Sequence, residues 1–210
     1  MRKTFLWLPL WLVALLATSS LAGNEPRIVR VEEDWEVIVQ SPDPLLEAPQ
    51  IGTWMSPQAD LKDLYFGVEL NHASQSALEG GGYQTKCMRG ATLLTARHNC
   101  KGQRLQVHDE KIEWTQTLHL DGNDLVFEIR NGRSSTWGNF GGDDSQVRHR
   151  TDLNRLNLYS PTLSSKQSGI SYASNRVAEM RLKSIRLVDD QDNVHTIEMD
   201  EIIYPEATVE

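Results

Sequence analysis

Apolar and polar residues alternate with a period of two along most of the chain. Val29, Val31, Trp35, Val37 and Val39 alternate with Arg30, Glu32, Asp34 and Glu36, and Glu33 takes one apolar slot. Leu64, Phe66, Val68 and Leu70 alternate with Tyr65, Gly67, Glu69 and Asn71. Ile112, Trp114, Gln116, Leu118 and Leu120 alternate with Glu113, Thr115, Thr117 and His119, and Leu125, Phe127 and Ile129 with Val126, Glu128 and Arg130. Side chains of a strand point to opposite faces in turn, so each run predicts a strand with one face on a core and one on water.

Turn chemistry separates these runs. Pro42-Asp43-Pro44 follows the first, and Gly80-Gly81-Gly82 precedes Tyr83 to Lys86. Asp121-Gly122-Asn123-Asp124 predicts a hairpin, because Gly and Asn tolerate positive φ, and Asn131-Gly132 predicts a further turn. Asp189 to Asn193 separates the run ending at Val188 from Val194 to Met199. Many short strands with regular punctuation predict an all-β fold, a two-sheet antiparallel sandwich. Asp152 to Asn157 and Asn175 to Ser184 are ambiguous between helix and strand, and the second is assigned as a strand.

The first residues break the pattern. Arg2 and Lys3 precede an apolar run from Phe5 to Ala17, and Ser20-Leu21-Ala22 supplies small residues for a cut before Gly23. This is the layout of a secretory signal peptide over residues 1–22, shorter than a membrane-spanning helix. The protein is expected to be secreted or periplasmic, with residues 23–210 as a single sandwich domain. Asn24 stands where a lipoprotein would need Cys, which excludes a lipid anchor.

The formal net charge is −8, more negative still once Arg2 and Lys3 leave. Without a basic cluster, nucleic acid and anionic membrane are not expected partners. The two cysteines, Cys87 and Cys100, suggest a disulfide in an exported chain, closing a short loop; two buried free thiols are the competing reading. A metal site from Cys87, His98 and Cys100 lacks the usual paired spacing.

Candidate chemistry falls in three places. Asn131 to Gly142 sets Trp137 and Phe140 among glycines and polar residues. Trp137 with Asn131 and Asn139 could bind a glycan, with Trp54 as a second platform, or Trp137 and Phe140 could simply be core. Glu69 and His72, with Glu128 elsewhere, are the candidates for acid–base cleavage of a polysaccharide, against the plainer reading of a solvated strand face. Asp189, Asp190 and Asp192 are candidate calcium ligands, although the run lacks the Gly and downstream Glu of an EF-hand. No Gly-x-Ser-x-Gly, His-Glu-x-x-His or phosphate-loop motif occurs.

Trp35 to Val39, Pro42-Asp43-Pro44, Ala48-Pro49-Gln50-Ile51, Met55-Ser56-Pro57 and Phe66 to Asn71 resemble segments of a group of uncharacterised exported proteins of planctomycete-type bacteria. Asn131-Gly132 to Gly141 and Ser168-Gly169 to Val177 look like further landmarks of it. The resemblance implies a jelly-roll, concanavalin-like sandwich and supplies no activity. The chain lacks the Glu-x-Asp-x-x-Glu strand of sandwich glycoside hydrolases; its nearest acidic strand pairs Glu128 with Arg130. The Arg, Gln-x-His and Tyr motifs of sandwich polysaccharide lyases are not recognisable. The expectation is a non-catalytic glycan-binding or cell-surface interaction module. The alternatives are an extracellular polysaccharide hydrolase or lyase, or a structural or protein-binding domain.

Overall fold

The computed structural model describes residues 25–40, 48–72 and 76–205, so the expected leader and the Pro42-Asp43-Pro44 turn lie outside the described residues. Twelve strands and one short helix follow in order: β1 (Ile28–Val39), β2 (Gln50–Met55), β3 (Leu64–Leu70), β4 (Gly82–Arg89), β5 (Thr92–Cys100), β6 (Lys111–Asp121), β7 (Asp124–Ser134), β8 (Gly138–Phe140), β9 (Val147–Arg150), α1 (Pro161–Gln167), β10 (Gly169–Tyr172), β11 (Val177–Asp189) and β12 (Val194–Tyr204). They build two antiparallel sheets. One has seven strands, ordered β12-β11-β1-β6-β7-β8 with β9 also on β7, and the other five, ordered β10-β2-β3-β4-β5. The protein is an all-β, two-sheet sandwich.

The alternation read from the sequence decides which side of each strand is buried. Val31, Trp35, Val37 and Val39 of β1 face Ile51 and Met55 of β2 and Phe66, Val68 and Leu70 of β3 in one core. Phe66 and Phe127 stack across the gap with ring centroids 5.6 Å apart. The core also takes in a polar cluster. The Trp35 indole N–H and the Gln116 amide donate to Oε2 of the fully buried Glu33, the Tyr159 hydroxyl meets Oε1, and Thr53 donates to Gln116 at 2.7 Å. This cluster ties both sheets to the segment ahead of α1.

Several expectations are corrected. Asn131-Gly132 is not a turn: β7 runs through it, with Asn131 at φ +52° in a bulge that sets Arg133 opposite Glu113 and Arg130 opposite Thr115. Similar irregularities lie opposite Asp34 and Trp35, where β11 holds the extra residue Lys183, and between β11 and β12, where Asp200 has φ +44°. Residues 152–156 take no regular structure, and the helix starts instead at Pro161, whose fixed φ and missing N–H suit a first helical position.

The expected disulfide is also overturned. Cys87 lies opposite Thr95 and Cys100 opposite Gly82, five residues apart along β4, or ~17 Å at the rise of a strand. A disulfide needs Cα atoms within about 7 Å, so the register forbids it. Both cysteines are free, Cys87 buried and Cys100 exposed. Burial pushes the Cys87 thiol up to about 12.

Candidate functional site

The outward side of the five-stranded sheet gathers residues that the sequence presents separately. Antiparallel register sets Trp54 of β2, Gly67 of β3, Lys86 of β4 and Ala96 of β5 in one row. The next row is Gly169 of β10, Gly52, Glu69, Gln84 and His98. Trp54 and Tyr65 meet edge to face, with centroids 5.5 Å apart.

Gly67 is what lets the Trp54 ring lie down on the sheet. A Cβ at residue 67 would sit 2.3 Å from the indole, so any side chain there would lift the ring off the backbone. Lys86 Nζ lies over part of the ring, 4.6 Å from its centroid, and donates to Glu69 Oε1 at 2.6 Å. The Gln84 amide donates to Glu69 Oε2, which also lies 3.3 Å from His72 Nδ1. His98 Nε2 lies 3.1 Å from Gln84 Oε1 and is exposed at the edge strand. The Tyr65 hydroxyl donates to the Gly90 carbonyl at 2.7 Å, and burial together with the Glu69 charge pushes it above the ordinary phenol value.

This face therefore offers a half-buried aromatic ring beside a fixed line of carboxylate, ammonium, amide and imidazole. Aromatic rings take the apolar side of a ligand, while groups held by their neighbours bind hydroxyls without being ordered first. Proton transfer is poorly served: both oxygens of Glu69 are occupied, and the Tyr65 proton lies in a bond to the backbone.

Three sequence candidates, Trp54, Glu69 and His72, thus meet on one face. The others lie elsewhere. Trp137 is core, 8% exposed, packed on Tyr83 and Phe140, with its indole N–H bonded to the Gln103 carbonyl at 2.7 Å. It offers no open ring, so its assignment as a glycan platform is withdrawn. Asn131 and Asn139 flank a shallow depression of about 460 Å³ at one end of the seven-stranded sheet. Glu128 belongs to that sheet as well; it is bound by Arg130 and Gln146, is 3% exposed, and does not meet Glu69 or His72.

The acidic turn after β11 is built as a turn. Asp189 accepts from the backbone N–H of Gln191 and Asn193 and from the Asn193 amide, each at 2.9 Å, and Asp190 pairs with Arg27. Among the described residues, no group of three or more His, Cys, Asp or Glu is arranged to hold a metal ion, and the proposed calcium ligands do not converge.

Sequence reasoning missed Tyr65, Gln84, Lys86, His98 and the glycines Gly52 and Gly169. Strand parity already placed Tyr65 and Gly67 beside Glu69. Bringing Lys86 and His98 to them required the register of β4 and β5, which no local pattern carries.

Fold and face together define a two-sheet antiparallel sandwich that presents an aromatic and polar sheet face. Compared with protein-family models, curated proteins and solved structures, the chain matches none.

Proposed function

We propose that the protein is a non-catalytic glycan-binding module acting outside the cytoplasm, and that it binds through the outward face of the five-stranded sheet. The observation that carries this reading is the Trp54 ring laid on Gly67 beside the Glu69, Lys86, Gln84 and His98 line. It joins a stacking surface to preset hydrogen-bonding groups, as a sugar requires. The leader-like residues 1–22 support an extracellular or periplasmic setting. Depletion of the purified protein on a panel of immobilised neutral, acidic and sulfated polysaccharides tests it. Retention on one polymer is expected, with Trp54→Ala weakening it about tenfold, the loss of ~1.4 kcal/mol. A Trp54→Ala protein with native circular dichroism and undiminished retention would move the site off this face. If no polymer retains the protein, the glycan reading falls.

Cleavage has less support. Glycoside hydrolysis uses two carboxyl groups flanking the bond, whereas Glu69 has no second carboxylate among the residues gathered here. The retained polymer is expected to show no new reducing ends and no unsaturated product.

A further inference from the structure

We propose that this face takes an uncharged linear oligosaccharide rather than a single sugar, laid along a track from Trp54 over Gly169 to Tyr172. The inference rests on the glycan reading and names its ligand class.

Tyr172 stands opposite Gln50, the residue two before Gly52 and four before Trp54, so by partner register it belongs to the same outward side of the sheet. It is 49% exposed on β10, the edge strand next to β2. Four residues of strand separate the levels of Trp54 and Tyr172, or ~14 Å, which is longer than one sugar ring.

Between the two aromatics two facing positions of the sheet carry no side chain. Gly52 and Gly169 face each other across β2 and β10. A Cβ on Gly169 would meet nothing within 4 Å, and one on Gly52 would come no closer than 3.5 Å to the Trp54 indole nitrogen. Neither glycine has the positive φ that would demand glycine for the backbone. The open space lies at Gly169, which is half-buried, whereas Gly52 is buried against the Trp54 indole, so Gly169 is where a ligand can approach the backbone closely. Glu69 flanks Gly52 on the other side, bringing hydrogen-bonding groups against the middle of the track.

Charge narrows the ligand. The carboxylate and ammonium beside the track satisfy each other at 2.6 Å, so the pair attracts neither an acidic nor a basic polymer. An uncharged chain is favoured, held by stacking at its two ends and by hydroxyl contacts between them.

The test is isothermal titration of the purified protein with cello-, manno-, xylo- and laminari-oligosaccharides of increasing length, with oligoalginates as the acidic comparison. Affinity for one neutral series is expected to climb with length and then level off. Tyr172→Ala is expected to weaken the longest members about tenfold and leave the shortest unchanged, and Gly169→Val to weaken the longer ones. Length-independent affinity, or a folded Tyr172→Ala protein that binds long members as before, overturns the track and leaves the glycan reading standing. Preference for oligoalginates that added salt abolishes overturns the uncharged class. No binding to any of these sugars or to the polysaccharide panel overturns the inference and the reading together.

Discussion

Two consecutive acids of β1, Glu33 and Asp34, face opposite sides of the seven-stranded sheet, and their carboxyl groups shift in opposite directions. Burial raises Glu33 above its ordinary 4.5, and hydrogen bonds from its neighbours offset this only in part. Burial also pushes Asp34 upward, but the bonds from Arg186, Thr115 and Ser184 outweigh it and hold the group below its ordinary 3.8. Stability linked to Glu33 is therefore complete below its unfolded pKa and declines as pH rises from there toward the raised folded value. Stability linked to Asp34 is present above its unfolded pKa and is lost as pH falls through the depressed folded value. The Trp35 indole and the Gln116 amide donate to Glu33 Oε2, and the Tyr159 hydroxyl donates to Oε1. A Glu33→Gln protein keeps an oxygen for the Trp35 and Gln116 donors and removes the titrating group. Its urea midpoint is expected to fall less than that of the native protein as pH rises above the ordinary carboxylate value of 4.5. Equal slopes in the two proteins would show that Glu33 is already ionised in the folded state.

At the scale of elements, the strands were legible where one face is apolar and the other polar. Leu64–Leu70 has the bounds its alternation predicted, and the Asp121–Asp124 hairpin joins β6 to β7 where Gly122 and Asn123 stand. What failed was local chemistry overruled by the ladder. Asn131-Gly132 has the composition of a turn, but β8 pairs with β7 beyond it, and the two residues become a bulge within one strand. The cysteine spacing suggested a bridge, yet register alone sets which residues of β4 and β5 meet. Mass spectrometry after alkylation without reductant is expected to find Cys100 modified in the folded protein and Cys87 modified only after unfolding, because burial withholds the Cys87 thiol and keeps it protonated. The candidate site was legible in part for the same reason. Trp54, Glu69 and His72 could be singled out one by one, but their company with Lys86, Gln84 and His98 is a product of cross-strand pairing.

For the whole molecule, the sandwich buries one continuous core, with the Glu33 cluster inside it, and carries ion pairs on its outer faces. The seven-stranded sheet carries a grid of ion pairs. In it Glu113, though burial pushes it upward, is held down at about 2 by Lys111 and Arg133. Among the described residues, no helix is long and apolar enough to cross a membrane. The open margins of the sheets matter beyond the fold. β12 ends the seven-stranded sheet and exposes Val194, Ile197 and Ile202. An unpaired apolar edge of that kind invites a second chain to add a strand. The break in register at Asp200, held at φ +44°, interrupts the line of N–H and C=O groups such a strand would need. Deleting Asp200 would restore one-to-one pairing between Leu182 and Ser184 and lengthen the regular part of the edge from Val194 to Ile202. The shortened protein is expected to self-associate as its concentration rises, seen as growing light scattering, whereas the native chain stays dispersed. The irregular residue that costs β12 part of its pairing would then be what keeps neighbouring molecules apart.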